Sequence, residues 1–122
     1  MGEQKITVKD LKALRSRTIA LERECIRLGK FEKEDGKAEF VDALKEQIER
    51  ESQIICKTLE FIANIKDDRI RSAVAMRYID GEPWREIAAV FSPSCSDSCV
   101  RMTVNRYLAA EGVPADSCDN GA

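Results

Sequence analysis

Apolar residues recur along this chain at helical spacing, and the rhythm changes partway. Leu11, Leu14, Thr18, Leu21, Cys25 and Leu28 succeed one another at steps of 3, 4, 3, 4 and 3, which is a heptad seam. Thr7 stands before them as an N-cap, with Asp10 placed to complete a variant of the capping box. Residues 29–37 are polar with glycines near both ends and predict a loop, with Phe31 folding back as an apolar plug. A second helix is expected over about 38–64. Val41, Leu44, Ile48, Ile55, Leu59 and Ile62 carry its seam, interrupted at Glu51 or Ser52. Ile54, Phe61 and Ile65 widen the apolar stripe towards its end, so that end should pack on the C-terminal part of the chain. Two helices alone make a thin core. The long seams therefore imply either packing onto the C-terminal part or association with a second copy, and the spacing leaves both open.

After Asp67 the elements shorten. A helix over about 68–79 stops at Asp80-Gly81, where glycine can adopt the left-handed conformation that closes a helix. Pro83 suits a first turn, since its missing N–H would go unpaired there. Trp84, Ile87, Ala88 and Phe91 then form one apolar face, and Ser92-Pro93-Ser94-Cys95 breaks the helix. Ser96 or Asp97 caps a third short helix ending near Leu108. Val100, Val104, Tyr107 and Leu108 share its inner face. Ser98, Met102, Asn105 and Arg106 fall opposite, with Arg101 on one flank and Cys99 on the other. A helix in this position of a helix-turn-helix enters the DNA major groove, where Arg suits guanine and Asn suits adenine. A plain three-helix packing unit with a solvated third helix fits the same spacing.

The run Arg71 through Tyr78-Ile79-Asp80-Gly81, then Trp84 and Glu86-Ile87-Ala88, then Asp97-Ser98, Val100-Arg101 and Arg106-Tyr107-Leu108, resembles region 4 of sigma-70-type transcription factors. It is more similar still to small phage-encoded regulators of the ArpU-like type. The resemblance covers the last half of the chain, to about Ala110. It implies sequence-specific DNA binding in transcription control, with the third short helix as reader. The turn from Ser92 to Ser96 is longer than in ordinary sigma region 4, and the final helix is poorer in positive charge.

The chain has 122 residues, 43% of them hydrophobic and 34% charged. That suits one domain, or one small domain with a helical extension. No alternating β-branched runs occur, so no sheet is expected. The net charge of −2 excludes a nonspecific nucleic-acid coat protein, which would be strongly basic. Within 66–110 acidic and basic residues nearly balance, and every cation but Lys66 is Arg, the residue for bidentate phosphate and base contacts. A single such module should bind weakly and in a salt-sensitive way, so dimerisation or a protein partner should add affinity. No apolar leader or membrane-length run is present, which points to a cytoplasmic protein with no membrane partner.

The five cysteines and the absence of histidine argue for reduced thiols and no metal site. Cys25 and Cys56 fall at apolar helical positions and should behave as small buried hydrophobes. Charged residues such as Arg15, Arg17, Glu22, Lys45 and Glu49 predict a solvated face with i,i+4 pairs. No phosphate loop, nucleophile elbow or zinc-protease motif occurs, and no cysteine has a recognisable base. The sequence therefore points to no enzyme and no cofactor.

The expected architecture is all-α: a long, coiled-coil-like antiparallel helical hairpin over 1–65, a three-helix helix-turn-helix module over 66–110, and a disordered tail over 111–122. The expected function is a DNA-binding transcriptional regulator of phage or prophage type, acting on double-stranded DNA, with the hairpin serving a homodimer or a partner. Ser98, Arg101, Met102, Asn105 and Arg106 are the expected DNA contacts, Ser96 and Thr103 the phosphate donors, and Arg85 a phosphate clamp at a helix N-terminus. The alternatives are an interaction module contacting RNA polymerase, or a DNA-packaging protein resembling a terminase small subunit.

Overall fold

The computed structural model describes residues 6–114. These fold into five α-helices: α1 (Val8–Phe31), α2 (Ala38–Ala63), α3 (Asp68–Tyr78), α4 (Trp84–Phe91) and α5 (Asp97–Ala110). No strand occurs among the described residues. None of the described helices is long and apolar enough to cross a membrane.

α1 begins with the reciprocal cap its sequence predicts. The Asp10 N–H donates to the Thr7 hydroxyl at 3.3 Å, and the Thr7 N–H donates to the Asp10 carboxylate at 2.9 Å. Arg17, two turns on, donates to the same carboxylate at 3.0 Å and approaches Glu51 of α2 at 4.0 Å. The helix does not stop at Gly29, contrary to expectation. Gly29 has no left-handed backbone, so nothing there terminates the turn. The end comes at Phe31, whose ring meets Phe40 edge-on at 4.9 Å with the Lys37 ammonium 5.5 Å from its centre. The aromatic plug exists, but it sits at the ends of two helices. The loop shrinks to 32–37, and Gly36 turns it at φ +84°.

α2 lies along α1. Its buried seam differs from the expected one at two positions: Ile48 is only half-buried, and Thr58 replaces Leu59. Val41, Leu44, Ile55 and Ile62 are buried as expected, but Thr58 is 1% exposed where Leu59 is 39% exposed. Strict alternation of three and four residues from Ile55 leads to Thr58, not to Leu59. The hydroxyl at 58 donates to the Ile54 carbonyl at 2.9 Å, so its burial leaves no polar atom unsatisfied. Glu51, half-buried, takes the seam position between Ile48 and Ile55. Cys25 and Cys56 are exposed rather than buried. Cys56 lies one residue beyond the seam. Cys25 lies in the outer half of α1, where Leu21 and Leu28 are themselves only half-buried.

The three short helices close the core. Asp67 caps α3, accepting from the N–H groups of Arg69 and Ile70, and Arg71 donates to the Ile65 carbonyl at 2.7 Å. That bond ties α3 to the end of α2. Gly81 turns the chain at φ +78°. Pro83 is the N-cap of α4 rather than its first-turn residue. Ser96 caps α5, accepting the Cys99 N–H at 3.1 Å. Beyond α5 the chain stays ordered to Pro114, against the expectation of disorder from Glu111. Gly112, at φ +88°, donates to the Ala109 carbonyl at 3.1 Å, and Val113 donates to that of Leu108 at 2.7 Å. This double closure is a Schellman motif, and its apolar Val113 is buried. The rest of the expected disordered tail, 115–122, lies outside the described residues.

One hydrophobic cluster joins all five helices. It includes Leu11 and Leu14 of α1, Ile55 and Ile62 of α2, Val74 of α3, Ile87 of α4, and Val100, Val104 and Leu108 of α5. Leu14→Ala should therefore cost roughly 2–5 kcal/mol. The loss should register equally in helical circular dichroism and in the fluorescence of Trp84, the single tryptophan, which lies on α4. Non-coincident urea transitions would contradict a shared core.

Gly29→Ala has the opposite sign. No atom lies within 4 Å of a Cβ added there, so removing glycine from a helical position should stabilise by about 0.5–1 kcal/mol. A raised urea midpoint is the check.

Asp10 sets a pH dependence. Partial burial alone would raise its carboxyl, but hydrogen bonds from the Thr7 backbone, Arg17 and the Thr7 hydroxyl outweigh that and hold it below the ordinary aspartate value. Because the folded value is depressed, its stabilisation is complete above the unfolded value, about 3.9. It is lost as pH falls through the lower folded value. Asp10→Asn should lower stability at neutral pH, with the gap to the parent closing as melts are run towards about pH 3.

Candidate functional site

α5 presents two contrasting sides. Val100 and Val104 are fully buried and Leu108 is 1% exposed. Ser98, Cys99, Met102 and Arg106 face solvent, and Met102 is 53% exposed. Arg101, Thr103, Asn105 and Tyr107 are half-buried along the flanks. The hydroxyl of Thr103 donates to the Cys99 carbonyl at 2.9 Å, so its proton is spent inside the helix.

The N-termini of α4 and α5 differ in how their first N–H groups are met. At α5, Ser96 accepts from Cys99 and the Asp97 carboxylate accepts the Ser98 N–H at 2.9 Å. At α4, Pro83 supplies no side-chain acceptor; its carbonyl accepts the Glu86 N–H at 3.0 Å, and the positive end of the helix dipole lies at this terminus. A cleft of about 360 Å³ opens there, lined by Arg77, Trp84, Arg85, Asp97, Ser98 and Arg101 with Pro83. The structure thus brings Arg85, Ser98 and Arg101 together. Ser96, Met102, Thr103, Asn105 and Arg106 lie outside that cleft.

The arginines of 66–110 divide by role. Arg71 is held by the Ile65 carbonyl and Asp68. The Arg69 guanidinium lies over the Phe91 ring at 5.8 Å. The Arg77 guanidinium stacks on Trp84 at 5.0 Å and donates to the Glu82 carbonyl at 3.3 Å. These contacts hold α2, α3 and α4 in place, but Arg77 also faces the cleft. Sequence reasoning misses Arg77 as a site residue. The available signal is a cation and an aromatic flanking the tight Asp80-Gly81 turn. Arg15 is exposed on α1, as expected, and its guanidinium also lies against Gly81, about 3.0 Å from where a Cβ would stand.

At the turn between α4 and α5, the hydrogen bond between the Cys95 and Cys99 thiols, together with burial, raises the Cys95 thiol above its ordinary value. It is a poor nucleophile there. The described residues hold no group of three or more Cys, Asp or Glu placed to bind a metal ion.

Comparison with models of known protein families, with curated proteins and with solved structures finds no match to this chain.

Proposed function

We propose that the protein is a sequence-specific DNA-binding transcriptional regulator of phage or prophage type. In this reading α4 and α5 form a helix-turn-helix, α3 completes a module like sigma-70 region 4, and α1 and α2 form the antiparallel hairpin that serves a second copy or a partner. The observation that carries it is the division of α5 into a buried Val100–Val104–Leu108 side and an open side bearing Ser98, Met102 and Arg106. A helix anchored by one face and open on the other is what a major groove receives. Asn105 on the flank and Arg106 on the open side have the shapes that read adenine and guanine edges. Arg85, beside the N-terminus of α4 where no side chain caps, serves as the phosphate clamp. Such a regulator acts in the bacterial cytoplasm on double-stranded DNA and performs no catalysis.

A second reading, contact with RNA polymerase, is favoured by the module's apolar surface: Val90 of α4 is 68% exposed and Ile79 is 40% exposed. The packaging alternative separates by assembly, since a ring-sized oligomer would favour it and a homodimer favours transcription control. The deciding experiment is retention of random genomic fragments by the protein over a salt series, with the retained fragments then sequenced. A regulator enriches a defined motif; an adaptor enriches none. Arg106→Ala should cost about 1–3 kcal/mol of binding to that motif, with discrimination relaxed at one base position and the melting temperature unchanged. A variant that binds like the parent would remove Arg106 from the reading.

A further inference from the structure

A second cleft, of about 450 Å³, continues the first one across the molecule onto α1. The two share Arg77, Trp84 and Arg101, so together they form one trough. It begins at Ser98, on the helix proposed to read bases, and ends at Lys12 and Arg15 of the N-terminal helix. Lys12, Arg15, Arg77 and Arg101 line the second cleft, and no acidic residue does. In a chain of net charge −2, that concentration of one sign is a local arrangement, not a consequence of composition.

Arg15 and Arg77 are held in position. Arg15 lies against Gly81, where the missing Cβ leaves room for the guanidinium. Arg77 is fixed between the Trp84 ring and the Glu82 carbonyl. Lys12 and Arg15 each come one residue after a buried leucine, Leu11 and Leu14, so docking of α1 on the core places both at the trough. Side chains fixed before binding lose less freedom on meeting a ligand. Paired guanidinium groups fit phosphate oxygens better than isolated ammonium groups do.

We propose that this trough seats the DNA backbone beside the segment read by α5, with Lys12 and Arg15 of α1 contacting phosphates. The proposal rests on the DNA-binding reading above and extends it: the N-terminal helix is itself part of the nucleic-acid surface. Phosphate contacts carry no sequence information, so these residues raise affinity for every duplex alike.

The test uses the full chain and fluorescent duplexes, one carrying the selected motif and one of scrambled sequence, titrated from low to moderate salt. Each phosphate contact removed lowers the slope of log K against log salt by about 1. The double variant Lys12→Gln/Arg15→Gln should lower it by about 2 and weaken both duplexes equally. Both side chains are exposed, and a thermal melt confirms folding. Ile19→Lys, adding a cation at a lining position that is 41% exposed, should steepen the slope. If the parent binds duplex and all slopes stay equal, the trough assignment is wrong while the DNA-binding reading stands. If the parent binds no duplex, both fall. Inorganic phosphate is the control: if it shifts the Gly81 amide resonance and duplex does not, the cleft serves a small phosphorylated ligand and the backbone assignment is overturned.

Discussion

The structure depends on how the apolar stripe of α1 is covered. A pair of long helices can cover one stripe of each other, but here the inner half of α1 carries Leu11 and Leu14, both almost fully buried. A second helix alone leaves such residues partly wet. The remaining cover comes from the short helices, whose Val74, Ile87, Val100 and Val104 are fully buried in the same cluster. Towards the other end of α1 that cover is missing, and Leu21 and Leu28 are only half-buried there. Burial along one helix therefore records where the C-terminal helices sit against it.

That docking also sorts the charges. Composition describes a nearly neutral chain, and neutrality is what a uniform mixture of ion pairs would give. The molecule instead uses some arginines internally and places others at one trough. Arg71 is consumed by the Ile65 carbonyl and Asp68, which fastens α3 to α2. Arg17 is consumed by Asp10 and reaches Glu51. Two carboxylates of the short helices bond backbone at helix starts: Asp67 caps α3 and Asp97 accepts the Ser98 N–H of α5. The part of the trough between α1 and Trp84 is lined by Lys12, Arg15, Arg77 and Arg101 and by no acid, so its field is set by cations. A few organised charges in a concave surface act on an anion more strongly than the net charge suggests.

Local rules make much of the fold legible. The Thr7 cap, the Gly81 turn, the span of α4 and a cap at Ser96, one of the two expected, each depend on residues within a few positions of one another. The misreadings have physical causes. Leu59 suits the seam better than Thr58 by hydropathy alone, yet geometry sets the seam, and a threonine whose hydroxyl bonds its own helix can fill it. Gly29 has the look of a stop, but its backbone is not left-handed; α1 runs on to Phe31, and Gly36 turns the loop after it. Gly112 before Val113 is a legible Schellman signal hidden within a polar tail. The place of Arg15 is not legible at all. Its neighbour is Gly81, far away in sequence, and only the docking of α1 brings them together.

Stability and charge placement are coupled by that same docking. Lys12 and Arg15 stand one residue beyond Leu11 and Leu14, so the rotation of α1 that buries the leucines also sets the direction of the cations. Burying a leucine side chain contributes roughly 1.5–3 kcal/mol. Ordering a long cationic side chain costs up to about 2 kcal/mol. The buried pair can thus hold the helix in register, and with it the direction of the exposed pair, while the Arg15 guanidinium rests against Gly81. The N-terminal helix is therefore not a spacer: the leucines that complete the core of the short helices are the means by which its positive charge reaches their surface.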